Sequence, residues 1–90
     1  MRTSFLCTYF IADDASNAVK IGQSFDIESR QRQLQTGNGN RLRLVLALPA
    51  SSWSETALHA RFVPSRIQGE WFLFSDEIRK FIADMIAEGA

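Results

Sequence analysis

Between Arg41 and Pro49 leucine takes every second position: Leu42, Leu44, Leu46 and Leu48, with Arg43, Val45 and Ala47 in between. A period of two belongs to an extended strand with one side in a core, and a helix cannot use it. The alternation predicts a strand over 41–49 with all four leucines on one buried face. A strand needs partners, and the chain supplies them. Phe5 to Ala12 is rich in aromatic and β-branched residues, Asp13–Asn17 is turn-forming, and Val19-Lys20-Ile21-Gly22 starts a second strand, which predicts an antiparallel hairpin. Trp71-Phe72-Leu73-Phe74 reads as a further partner strand.

Helices fill the intervals. Asp26 is the expected N-cap of a short helix to about Gln35, closed by Thr36-Gly37-Asn38-Gly39-Asn40. Ser52-Trp53-Ser54-Glu55 fits a capping box opening a helix to about Phe62. Ser75 caps a last helix whose Ile78, Phe81, Ile82, Met85 and Ile86 form an apolar stripe. The order β-β-α-β-α-β-α indicates an α+β domain: a small, mainly antiparallel three-stranded sheet flanked by helices. Ninety residues suffice for one such core and not two, so residues 1–90 are read as a single domain.

No run of about 18 apolar residues occurs, which excludes a helical membrane span. The N-terminal apolar stretch stops at Asp13-Asp14 without a small-residue cleavage site and reads as a strand, not a signal peptide. The lone Cys7 has no partner for an internal disulfide, which favours a reducing, cytoplasmic setting, and within Phe5–Tyr9 it reads as a buried apolar residue. Net charge is zero, but its distribution is uneven: residues 20–66 hold seven Lys and Arg against three acids, and residues 67–90 hold two against five. The middle of the chain could present a basic face to nucleic acid; an ordinary mixed surface accounts for it equally.

The chain has no Cys/His metal cluster, phosphate-binding glycine loop or nucleophile elbow. Any chemistry must come from scattered polar residues brought together by folding, and Tyr9, Lys20, Arg30, Glu55 and His59 are the candidates. Each has a structural alternative. Tyr9 could be an ordinary strand tyrosine, and Lys20, opposite in orientation to Val19 and Ile21, could face solvent. Arg30 could pair with Asp26 one turn earlier, Glu55 could serve the capping box, and His59 could be a half-buried helix residue.

Tyr9-Phe10-Ile11, Val19-Lys20-Ile21-Gly22, Asp26-Ile27-Glu28-Ser29-Arg30, Gln33–Gly37, Glu55–Phe62 and Gly69-Glu70-Trp71-Phe72, in that order, resemble one branch of the GIY-YIG nuclease superfamily. The likeness runs over residues 7–75, with Lys20 standing where the second motif usually has tyrosine. It implies a metal-dependent endonuclease that hydrolyses phosphodiester bonds in DNA, branched or single-stranded substrates included. On that pattern Tyr9, helped by Lys20, activates the attacking water. Arg30 clamps the phosphate, Glu55 holds one Mg²⁺ or Mn²⁺, and His59 contacts phosphate or relays a proton. Gly22 would let the substrate backbone come close. Lys20 and Arg30, with Arg41, Arg43 and Arg61, are the expected nucleic-acid contacts, positioning the backbone without reading sequence. Glu70 is expected to pair with Arg30 or Arg66 and carries no catalytic role. A domain this small would depend on self-association or a partner protein for specificity. The rival readings are a non-catalytic nucleic-acid-binding module and a protein-interaction surface formed by Trp53 and the basic middle.

Overall fold

The computed structural model describes residues 5–89, so the first four residues of the N-terminal stretch and Ala90 lie outside it. The elements run β1 (Cys7–Asp13), β2 (Ala18–Ser24), α1 (Ile27–Thr36), β3 (Leu42–Pro49), α2 (Glu55–Arg61), β4 (Arg66–Gln68), β5 (Trp71–Leu73) and α3 (Asp76–Gly89). One-turn 3₁₀ segments at Asp14–Ser16 and Val63–Ser65 link β1 to β2 and α2 to β4. The class is α+β as expected, but the sheet has five strands, not three, in the order β3-β1-β2-β5-β4 with every neighbouring pair antiparallel. The element order read from the sequence already held four strands, and the one absent from it is β4: its three residues are all exposed and squeezed between Pro64 and Gly69, too short to show a period.

β1 sits between β2 and β3 and is buried along all seven residues. Antiparallel partners share a face, and the pairs Tyr9–Gly22 and Ile11–Lys20 therefore put these four residues on one side of the sheet. Phe10, Ala12, Val19 and Ile21 take the other side, where they pack with Leu58 of α2 and with Ile78, Phe81 and Ile82 of α3. Among the described residues the first side is covered by α1, through Ile27 and Leu34, and by Trp71, against Tyr9, Ile11 and Leu42.

The leucine alternation in β3 does not hold to one face. The register slips between Phe10 and Ile11, so that Leu46 opposes Phe10 while Leu44 opposes Ile11, leaving Val45 as the extra residue of a bulge. Leu42 and Leu44 consequently lie on the α1 side, and Leu46 and Leu48 on the α2/α3 side with Val45. A single inserted residue inverts the facing of everything beyond it.

The helix caps are partly as expected. Asp26 accepts from the Ser29 amide at 3.1 Å and starts α1. The cap of α2, however, is Ser54, whose hydroxyl accepts from the Ala57 amide at 3.1 Å, and not Ser52. That shift makes Glu55 the first helical residue and takes it out of the capping-box position. In α3 the buried stripe stops short of Ile86, which is exposed.

Candidate functional site

Gly22 marks the centre of the site. A Cβ added there would collide with the Tyr9 hydroxyl, lie 2.6 Å from Tyr9 Cζ and come within 3.0 Å of Glu70 Oε1. Real Cβ atoms do not approach that closely, so glycine is required because the phenol occupies the side-chain position. The space above Gly22 is therefore filled by Tyr9 and is not open to a substrate backbone as expected. Tyr9 itself is 1% exposed.

Around this contact the fold gathers charges from four elements. Lys20, two residues before Gly22 on the same side of β2, is largely covered; its Nζ lies 3.4 Å from Glu70 Oε1 and 5.5 Å from the centre of the Trp71 ring. It does not face bulk solvent. Glu70 is fixed at the turn between β4 and β5, where Gly69 adopts a left-handed φ of 57° that favours glycine. Its carbonyl oxygen accepts from the Ile21 amide at 2.9 Å, tying the turn to the part of β2 that extends past the end of β5.

Glu55 reaches the same place from α2. Its backbone amide donates to Gln23 Oε1 at 2.9 Å, and its carboxyl lies near enough to that of Glu70 to feel it. Burial first, then Glu70, push Glu55 above the usual carboxylate range, against the pull of His59 and Lys20. Glu70, expected to pair with Arg30 or Arg66, instead joins Lys20 to Glu55. Arg66 donates from Nε to the Gly69 carbonyl oxygen.

His59 Nε2 lies 2.8 Å from the Ile21 carbonyl oxygen and 3.7 Å from Glu55 Oε1. A carbonyl only accepts, so Nε2 carries a proton and donates it there. Its ring meets Phe72 edge-on at 4.9 Å. These contacts hold His59 as a brace between α2 and the open stretch of β2, with Nε2 already engaged.

Arg30, exposed on α1, is close enough for its charge to pull on the Tyr9 phenol. Burial outweighs it. Together with the fields of Glu70 and Glu55, burial raises the phenol to about 12, with Arg30 opposing. Tyr9 is thus a neutral hydroxyl near pH 7, and Lys20 is engaged by Glu70. The expectation that Lys20 prepares Tyr9 as a ready base does not fit this resting arrangement.

The three remaining arginines lie elsewhere. Arg41 and Arg43 flank a cavity at the β3 edge, and Arg43 makes a two-point ion pair with Asp14 at 3.0 Å for both contacts. Arg61 stacks 4.9 Å above the Phe81 ring on the α2/α3 side, opposite to Tyr9. Tyr9, Lys20, Arg30, Glu55 and His59 are therefore grouped with the unforeseen Glu70, and the other arginines are not.

For a divalent cation, Glu55 and Glu70 are the fitting pair. They stand on separate elements, half-buried, and the like charge that raises Glu55 is what a cation between them would relieve. Among the described residues no group of three or more His, Cys, Asp and Glu side chains assembles. A pair of carboxylates completed by water and substrate oxygens suits Mg²⁺ better than an all-protein cage does.

The architecture is that of a five-stranded antiparallel α+β domain with a tyrosine, a lysine and paired carboxyls converging on one glycine. The T5orf172 domain model matches residues 6–87, and the chain belongs to that family. This corrects the GIY-YIG identification, because the matching family is a distinct one and the GIY-YIG model does not match. The roles that resemblance implied for Tyr9, Lys20, Arg30, Glu55 and His59 lose its support and rest on geometry alone. No curated protein and no solved structure matches the chain.

Proposed function

We propose that this domain is a divalent-cation-dependent endonuclease that hydrolyses phosphodiester bonds in DNA. The supporting observation is the convergence on Gly22 of a buried hydroxyl, two cationic side chains and a carboxyl pair from β1, β2, α1, α2 and the β4–β5 turn. Phosphoryl transfer needs little covalent participation from a protein; it needs charge placed around the phosphate and a water held in line. Arg30, exposed and with a planar fork of donors, grips the non-bridging oxygens. Lys20 adds a second positive charge once substrate competes for it with Glu70. Tyr9 holds the attacking water at its hydroxyl, and His59 keeps Glu55 against the edge of β2. Glu55 and Glu70 would hold Mg²⁺ or Mn²⁺, which supplies charge neutralisation at the phosphate and cancels the carboxylate fields that raise the Tyr9 phenol. The buried, unpaired Cys7 suits a reducing cytoplasm, and among the described residues no helix is long and apolar enough to cross a membrane.

Plasmid nicking in the presence of Mg²⁺ or Mn²⁺ tests the reading. Glu55→Gln should abolish it and Arg30→Ala should cut it by about 10²–10³-fold, while thermal unfolding stays cooperative. Cleavage that persists in both variants removes the assignment. A second reading, a module that binds nucleic acid without cutting it, is favoured by one observation: the Tyr9 phenol rests at about 12, far from a working base. Salt-sensitive DNA binding with no nicking under any divalent cation would establish that alternative. Absence of both would leave a protein-interaction role.

A further inference from the structure

A groove of about 550 Å³ opens directly beside the candidate site and shares Lys20 and Glu70 with it. That volume falls within the range of about 300–1,000 Å³ typical of small-molecule sites. It is lined by the half-buried Trp71, by Ile67, 58% exposed, and by Asn38 and Asp13, with Lys20 Nζ 5.5 Å from the centre of the Trp71 ring. A lining that joins an aromatic ring, an apolar side chain and the Asn38 amide suits a nucleobase, which would stack on Trp71 in place of the Lys20 ammonium and hydrogen-bond through its edge. Its charge excludes the other part of a nucleotide. Asp13 and Glu70 outnumber Lys20, so a phosphate is disfavoured inside, whereas Arg30, whose charge acts on Tyr9 in the adjoining site, attracts one there.

We infer that this groove receives the unpaired base of the nucleotide next to the scissile phosphate, which makes single-stranded or locally unpaired nucleic acid the substrate. The inference rests on the phosphodiesterase reading for the position of that phosphate. A base inside a duplex is stacked on both faces and cannot offer one to Trp71 without leaving the helix. Selectivity for unpaired substrate then follows from stacking, with no sequence readout required.

The test measures binding of a labelled short single strand and of the same sequence as a blunt hairpin duplex to the full chain. Divalent cations are left out so that nothing is cut. Single strand should bind more tightly, and Trp71→Ala should weaken it by about tenfold or more while leaving the duplex unchanged, with Trp71→Phe restoring part of the loss. Because Trp71 also packs against the sheet, Ile67→Ser provides an exposed control: single-strand binding should fall several-fold with unfolding unaltered. An abasic residue at one position of the strand should reproduce the Trp71→Ala loss. Equal binding of both forms, or single-strand binding indifferent to Ile67→Ser and to the abasic residue, overturns the inference. Plasmid nicking without single-strand preference would leave the hydrolysis standing and overturn the groove. Base-dependent binding without cleavage by wild type would do the reverse.

Discussion

Tyr9 and Phe10 are adjacent and equally hidden, at 1% and 0% exposure, yet they belong to different parts of the molecule. Phe10 enters a core where α2 and α3 seal the sheet with Leu58, Phe62, Ile78, Phe81 and Ile82, and its ring lies 5.9 Å from that of Phe81. Tyr9 enters the side that α1 and Trp71 cover, where Lys20, Gly22 and Glu70 share the surface with Ile11 and Leu42. One layer of helix is too little to dry this side completely. Polar groups survive there because each finds a partner or an opening to water, and no buried side-chain nitrogen or oxygen among the described residues is left without one. Burial by itself therefore does not separate core from site; what separates them is the chemistry of the covering layer.

The largest effect should come from Phe10→Ala, which removes a ring from the sealed side and should cost about 3–5 kcal/mol in denaturant unfolding. Tyr9→Phe keeps the ring and should change stability by well under that while removing nicking. If both variants unfold alike, the distinction between the two sides fails. Next, Arg30→Ala should reduce nicking by about 10²–10³-fold, the loss typical of one charge-stabilising donor, with the unfolding midpoint unmoved. A drop in the midpoint matching the drop in rate would instead make Arg30 a structural residue.

Gly22→Ala should cost about 1–3 kcal/mol, as overpacking does, and nicking should fall with it as the phenol is pushed aside. Combining it with Tyr9→Phe should recover part of the stability, since the hydroxyl is the nearest colliding atom. Additive losses would mean that Gly22 and Tyr9 do not oppose each other as described.

The smallest effect is a pH dependence. Tyr9 is the chain's one tyrosine, so the ultraviolet signal of phenolate reports it alone. It should titrate near about 12 in the folded protein and near about 10 after unfolding. Between those values the folded state holds the proton more tightly, so its contribution to stability is complete below about 10 and lost as pH rises through about 12. Glu70→Gln removes one of the fields that raise the phenol and should move the folded titration downward. A native titration indistinguishable from that of the unfolded chain would show that Tyr9 is not enclosed by this side of the sheet.

Much of the frame was readable in the sequence, because local periodicity and caps report local structure. The β1–β2 hairpin, the Asp26 cap, the strand over β3 and the Ile78-Phe81-Ile82 stripe all appear where the residue pattern puts them. Two misreadings came from patterns that a neighbour overrode. The β3 bulge is fixed by register against β1 and is invisible within Leu42–Leu48 itself. Ser52-Trp53-Ser54-Glu55 fits a capping box, but the backbone starts α2 two residues later, where the Gln23 side chain takes the Glu55 amide. Glu70 was read as a turn residue paired with Arg30 or Arg66 and without a catalytic role. Its place after Gly69 says that the chain reverses there and not what the reversal meets.

The sequence by itself determined the class of fold and a set of polar candidates, each with a structural alternative. Alternation, caps and turn residues act over a few positions, and those distances are written in the chain. Tertiary structure decided which of the polar residues meet. Lys20 reaches Glu70 fifty positions away, Glu55 reaches the same carboxyl from another helix, and Tyr9 occupies the space that Gly22 leaves. Such contacts depend on strand register and on which face a helix covers, and a shift of one residue in either would have scattered the group.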